Sequence, residues 1–238
     1  MEQLPIFISI VFGLITFITL YIFYIATRRS KTVLWVLLAW MGLQALISQS
    51  GFYLITNTLP PRFLLAIGLP LLAIFLLFNT TGGRRFIDKL DRQFLTLLHI
   101  VRIPVELVLL FLFIYKTIPG IMTFEGRNFD ILSGISAILI WYLMYVKKRY
   151  NKTILLWWNI LCLALLVNIV TIAVLAAPFI FQQLAFGQPN IAVFYFPFIW
   201  LPSLIVPLVL LSHLASIRQI LKEKRESENR ITVPMVQS

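Results

Sequence analysis

Residues 93–115 read QFLTLLHIVRIPVELVLLFLFIY, and this stretch indicates the class of fold. The apolar run after Glu106 has nine residues, which is about 14 Å of helix at about 1.5 Å per residue. A hydrocarbon core is about 30 Å thick, so a helix that crosses it here has to include His99, Arg102 and Glu106 as well. The stretch therefore predicts a membrane-spanning helix that carries three ionisable side chains.

The composition of the whole chain points to the same class of protein. Of its 238 residues, 60% are hydrophobic and 12% are charged, whereas soluble domains have about 45–50% apolar and about 25% charged residues. The mean hydropathy is +0.93. These values exclude a soluble globular enzyme and a disordered chain. The one cysteine, Cys162, excludes a disulfide scaffold.

Apolar runs interrupted by charges, proline and glycine predict an all-α fold, a polytopic transmembrane bundle with seven spans. Residues 1–220 would form this single domain, and residues 221–238 a short polar cytoplasmic tail. The predicted spans are residues 5–27, 33–56, 63–79, 93–115, 130–146, 153–177 and 198–217.

The basic residues predict the orientation of the bundle. With seven spans, the first, third and fifth connections lie on the same side as the C-terminal tail, and 16 of the 20 Lys and Arg residues lie there. Cytoplasmic loops carry such an excess, so we expect the N-terminus outside and the C-terminus in the cytoplasm of a multi-pass cell-membrane protein, of the bacterial inner membrane. The 16 residues are Arg28, Arg29, Lys31, Arg84, Arg85, Lys89, Arg92, Lys147, Lys148, Arg149, Lys152, Arg218, Lys222, Lys224, Arg225 and Arg230.

The net charge of +11 is concentrated at this inner rim. Anionic lipid headgroups at the cytoplasmic face are sufficient to neutralise such a rim, so the expected partner is the lipid bilayer and not nucleic acid. A protein partner or a homo-oligomer remains an alternative.

His99, Arg102 and Glu106 follow one another at spacings that place them on one helical face. Each is costly in lipid, by about 2.5–3.5 kcal/mol for an Arg at the centre of a helix. We therefore expect all three to face the interior of the bundle. The separation of four residues predicts an ion pair between Arg102 and Glu106. A pair that only fixes helix packing is the structural alternative to a functional site.

Other spans carry polar side chains at similar depths. Asn159 and His213 lie near the predicted level of His99, and Gln44 lies near the level of Arg102 and Glu106. If these helices are neighbours, a polar layer forms inside the bundle. The predicted substrate or proton site then consists of Gln44, His99, Arg102, Glu106, Asn159 and His213.

Two connections on the outer side are also unusual. Glu125, Arg127 and Asp130 lie close together in sequence and predict an outer vestibule, with a solvated loop of local salt bridges as the alternative. The segment 178–197 is too apolar for an ordinary loop and too polar to span a membrane. We expect it at the outer interface, as a short amphipathic helix or lid.

Three hypotheses for the function follow from these features. The first is a small-molecule or proton-coupled carrier without a cofactor, whose site lies on the fourth helix. The second is a membrane sensor or assembly partner without chemistry of its own. The third is a membrane enzyme that binds a divalent metal or haem through His99 and His213, since two His and a carboxylate can hold a metal. The sequence identifies no catalytic residue.

Overall fold

The computed structural model describes residues 4–232, and the side chains of residues 4–229. Within these residues the regular elements are helices, without a strand. This confirms the all-α prediction. Three short 3₁₀ turns lie in the connections. The helices are α1 (Ile6–Ala26), α2 (Lys31–Gln49), α3 (Leu64–Asn79), α4 (Thr81–Lys89), α5 (Arg92–Ile114), α6 (Asp130–Val146), α7 (Lys152–Leu175) and α8 (Val206–Thr232), the last preceded by a π turn at Leu201–Ile205.

Several of these helices are long and apolar enough to cross a membrane, as expected for a membrane protein. Five pass on length and composition, namely α1, α2, α5, α7 and the segment 201–229. A sixth span results if α3 and α4 are counted together, and α6 is apolar but shorter. Large apolar side chains on the outer surfaces are exposed, among them Trp35, Leu46 and Leu161, as lipid-facing positions should be.

The third connection contains a helix that the sequence did not predict. α4 follows α3 with a bend of 95°, and Thr80 caps its start by accepting a hydrogen bond from the Gly83 amide at 3.1 Å. A Cβ atom at Gly83 would lie 2.4 Å from the carbonyl oxygen of Leu77. Glycine therefore permits this close return of α4 against the end of α3.

Helix α5 lies at the centre of the bundle and packs against α1, α6 and α8. Asp91 caps its start by accepting a hydrogen bond from the Gln93 amide at 2.9 Å. A 3₁₀ turn at His99–Val101 interrupts it one turn before Pro104. His99, Arg102 and Glu106 thus lie at or beside an irregular stretch of the helix.

The segment 178–197 differs from the predicted interfacial helix or lid. It consists of turns and a 3₁₀ turn at Ala192–Phe194, and two of its aromatic side chains enter the core while three others stay exposed. Phe179 and Phe194 are buried, and the Phe194 ring lies edge-on to Phe63 at 4.9 Å. Burial of these rings removes apolar surface that a solvated loop would expose.

Helix α8 continues through most of the predicted polar tail. On this extension, Arg218 and Lys222 contact the carboxylate of Asp88 on α4 at 3.0 and 2.8 Å. These ion pairs join α8 to α4 at the predicted inner face. Residues 233–238 of the predicted tail lie outside the described residues.

Candidate functional site

Helix α5 directs His99, Arg102 and Glu106 into the protein. The exposed fraction is 0% for His99, 3% for Arg102 and 2% for Glu106. Buried polar atoms are costly without partners, so the neighbours of these three side chains matter.

The ion pair of Arg102 differs from the predicted one. Its Nε lies 2.9 Å from Oδ2 of Asp130, the first residue of α6, whereas no Arg102–Glu106 ion pair is found within residues 4–229. The α5–α6 packing brings Asp130 alongside Arg102, so the partner comes from the neighbouring helix. This pair joins two helices instead of closing within one.

Glu106 is held by an amide from the loop before α6. Asn128 Nδ2 donates to both carboxylate oxygens of Glu106 at 2.7 Å and to the carbonyl oxygen of Met122 at 2.9 Å. The Asn128 oxygen in turn accepts from the Asp130 amide at 3.0 Å. Glu106 and Asp130 are thereby connected through one side chain.

His213 on α8 continues the cluster on the other side of Arg102. Its Nε2 lies 3.3 Å from Arg102 Nη1, and its Nδ1 lies 2.9 Å from Asn159 Oδ1 on α7. Arginine can only donate, and the Asn159 amide nitrogen already donates to the Leu155 carbonyl at 2.8 Å. These partners assign to His213 the neutral form with the proton on Nδ1.

His99 stacks on His213 with ring centroids 3.8 Å apart and planes at 16°. Both of its ring nitrogens are buried without a hydrogen-bond partner in the described part of the chain. Stacked imidazoles direct their in-plane lone pairs into two parallel planes, so this arrangement does not suit the predicted metal or haem ligation by His99 and His213. Among the residues described, no group of three His, Cys, Asp or Glu could hold a metal.

The three residues of the predicted outer vestibule do not share one environment. Asp130 is buried with 6% exposure and belongs to the interior cluster, whereas Glu125 and Arg127 are exposed on the loop. The reason is that the loop turns inward at Asn128. The prediction grouped Asp130 with Glu125 and Arg127 because the three are close in sequence, and this grouping is wrong for Asp130.

Gln44 also lies apart from the predicted layer. It is buried, and its Oε1 accepts a hydrogen bond from the Tyr53 hydroxyl at 2.7 Å. Its helix α2 packs against α1 and the π turn before α8. The prediction for Gln44 used only its depth along the helix. Its partner depends on which elements pack against α2, and depth does not give that information.

A cavity of about 100 Å³ adjoins the cluster. Glu106, Asp130 and Asn190 contribute to its lining, and the other lining residues are mainly apolar. Pro202, in the π turn before α8, also lines it. The site therefore combines two carboxyl groups, a small space and an irregular stretch of helix.

Asn128 and the interior role of Asp130 were missed at the level of sequence. The connection 116–129 gave one signal, because Ile118 and Met122 make it more apolar than a solvated loop. Both of these side chains are buried. A connection this apolar packs against the protein, and the polar residues Asn128 and Asp130 at its end can then face inward.

Comparison with known protein families gives a match. A family model described as a domain of unknown function (DUF8737) matches residues 59–221. This range includes every member of the buried cluster and excludes α1 and α2. No curated protein and no solved structure matches the chain.

Proposed function

The chain belongs to the DUF8737 family, and from its buried polar cluster we propose that it carries a small solute across the membrane together with protons. The observation that carries this proposal is one connected set of ionisable groups inside an apolar bundle. It runs from Glu106 and Asp130 through Arg102 to His213.

The proposed topology has seven spans with the N-terminus outside and the C-terminus in the cytoplasm. In its support, an apolar helix lies at each of the seven predicted spans, and the basic residues are strongly biased to one side. α3 and α6 have 16 and 17 residues, or about 24–26 Å at about 1.5 Å per residue. Local thinning of the bilayer accommodates such short helices at modest cost.

The energetic argument favours a functional role for the cluster. Buried ion pairs rarely stabilise a fold more than apolar side chains of similar volume do. Ionisable groups at membrane depth are costly and mark ion or proton pathways. Helices α5, α6, α7 and α8 all supply polar members to this cluster, which is more than a simple packing contact requires.

In the proposed mechanism, Glu106 takes up and releases the proton. Asn128 holds its carboxyl group beside the cavity of about 100 Å³. This is room for about three waters at about 30 Å³ each, or for one small solute. Arg102 restrains Asp130 and supplies the positive charge that responds when Glu106 changes its protonation. The irregular start of α8 provides a place for opening and closing, as broken helices do in carriers.

The test uses full-length protein in proteoliposomes with a trapped pH dye. Small amines, amino acids, carboxylates and sugars are added one at a time, and charge movement is recorded on a solid-supported membrane together with the internal pH. We expect at least one solute to give both signals with the wild-type protein. Glu106→Gln should abolish them, and Glu125→Gln, the same change on the exposed loop, should leave them unchanged.

Two results would contradict the proposal. The first is that no solute class produces a protein-dependent signal from folded wild-type protein, which would favour the sensor or assembly hypothesis. The second is that Glu106→Gln transports and acidifies as the wild type does, which would remove Glu106 from the mechanism.

A further inference from the structure

A second, larger concavity lies between α2 and α3. Its volume is about 490 Å³. Helices α1 and α8 also contribute to its lining, which is apolar apart from Thr32 and Ser203. Representative lining residues are Val36, Trp40, Leu69, Ala73, Pro207 and Leu211.

The groove exists because α2 and α3 each pack elsewhere. α2 contacts α1 and the π turn before α8, whereas α3 contacts that turn, α8 and α4. In α3, only Ala66 and Ile74 are buried. The space between the two helices therefore faces the surrounding medium, which at the depth of these spans is lipid.

The chemistry of the groove selects an apolar occupant. The indole N–H group of Trp40 already has a partner, because Nε1 donates a hydrogen bond to the Ser203 carbonyl oxygen at 2.9 Å. The Ser203 hydroxyl likewise donates to the Ile199 carbonyl at 2.8 Å. The groove thus offers hydrocarbon surface and few free hydrogen-bonding groups, which suits an alkyl chain.

Basic residues lie next to the residues that line one end of the groove. Thr32 and Phe86 line this end, and exposed Lys31, Arg84 and Arg85 flank them in sequence. Arg28 and Arg29, also exposed, lie in the adjoining turn between α1 and α2.

The nearby acids do not neutralise these five basic residues. Asp88 is occupied by Arg218 and Lys222, and Asp91 caps the start of α5. None of the five forms an ion pair within the described residues 4–229. An uncompensated basic cluster at the cytoplasmic face attracts anionic headgroups.

We propose that this groove binds an acyl chain of an anionic phospholipid, whose headgroup lies against Arg28, Arg29, Lys31, Arg84 and Arg85. The uncompensated basic cluster favours a lipid with an anionic headgroup over a helix of a second copy of this chain, whose net charge is +11. This inference is independent of the proposed carrier function.

The first test is native mass spectrometry of the full-length protein with added phosphatidylglycerol or phosphatidylcholine of the same chains. We expect one phosphatidylglycerol to be retained per protein, at least fivefold more than phosphatidylcholine. Ala73→Trp fills the groove and should reduce this retention at least fivefold. Ala164→Trp, at an exposed alanine of α7 outside the groove, should have no effect.

The headgroup contact is tested by a pair of double variants. Arg84→Gln with Arg85→Gln should lower the preference for phosphatidylglycerol at least threefold. Lys148→Gln with Arg149→Gln removes the same charge from another exposed cluster and should leave the preference unchanged.

A measurement on the wild-type protein covers the case in which Ala73→Trp does not fold. Phosphatidylglycerol with a photoreactive group in its chain should label α2 and α3 peptides more than α7 peptides. Equal labelling of all three helices would overturn the proposal. So would equal retention of the two lipids, or a dimer that Ala73→Trp abolishes, which would identify a second copy as the occupant.

Discussion

At the scale of single residues, Arg102 organises the interior. It is 3% exposed and lies between Asp130 on α6 and His213 on α8. A guanidinium group stays charged in proteins and presents several donors in a fixed plane, so it can join two acceptors from different helices. Removal of Arg102 would leave the buried Asp130 carboxylate without its compensating charge.

We therefore predict that Arg102→Met destabilises the folded protein by about 3–5 kcal/mol, the usual cost of leaving one member of a buried ion pair alone. The measurement is the thermal unfolding midpoint in detergent. Arg127→Met, at an exposed arginine of the loop before α6, is the control and should change stability by less than about 0.5 kcal/mol.

The double variant Arg102→Met with Asp130→Leu should recover most of the lost stability, because both charges are then absent. If the single and double variants unfold at the same temperature, the unpaired Asp130 carboxylate is not the cause of the lost stability.

A second prediction at this scale concerns the tautomer of His213. Asn159 Oδ1 accepts a hydrogen bond from the Nδ1–H group of His213 at 2.9 Å, and Asn159→Leu would leave this donor buried and unpaired. The expected loss is about 1–3 kcal/mol, the desolvation penalty of one such group. Asn168→Leu, at an exposed position on the same helix, should cost less. Equal losses at the two sites would contradict the assigned role of Asn159.

At the scale of elements, the approach of α6 to α5 brings the cluster together. A Cβ atom at Gly134 on α6 would lie 2.8 Å from Ile103 Cγ1 and 3.1 Å from the Ile103 amide nitrogen. Glycine at this position allows the two helices to pack closely enough for Asp130 to reach Arg102. Small residues serve the same purpose in other membrane helix pairs.

The corresponding prediction is that Gly134→Ala lowers stability by about 1–3 kcal/mol, because the new methyl group overpacks the helix contact. Gly42→Ala on α2 is the matched control, since a Cβ there has nothing within 4 Å. It should be neutral or stabilising by up to about 1 kcal/mol through helix propensity. Unfolding midpoints of the two variants decide the matter, and a neutral Gly134→Ala would show that the helices can separate without cost.

At the scale of the whole molecule, the orientation of the chain in the membrane determines which end of the cluster faces the cytoplasm. The proposed orientation places Glu125 outside and Lys148 inside. Both side chains are exposed, and the chain's one cysteine, Cys162, is buried. Introduced cysteines can therefore report the orientation, since little labelling of the native cysteine is expected.

We predict that a membrane-impermeant maleimide labels Glu125→Cys in intact cells. Lys148→Cys should be labelled only after the membrane is permeabilised, and the wild-type protein should remain unlabelled in both conditions. The reverse pattern would invert the topology, and labelling of both positions from outside would require an even number of spans between them.

The sequence by itself determined that the protein is helical, with several helices long and apolar enough to cross a membrane. Apolar runs of about 20 residues have to satisfy their backbone groups internally in lipid, and a helix does so locally. The spacing of His99, Arg102 and Glu106 on one face also follows from helix geometry alone, and all three are buried.

Only the tertiary structure decided the partners of these residues. Asp130 replaced Glu106 as the partner of Arg102, Gln44 paired with Tyr53, and Phe179 and Phe194 of the segment 178–197 packed into the core. Lipid-facing and protein-facing surfaces of a membrane helix are both apolar, so hydrophobic periodicity carries little information about which helices are neighbours. The choice of partner depends on that packing, which forms between residues far apart in the chain.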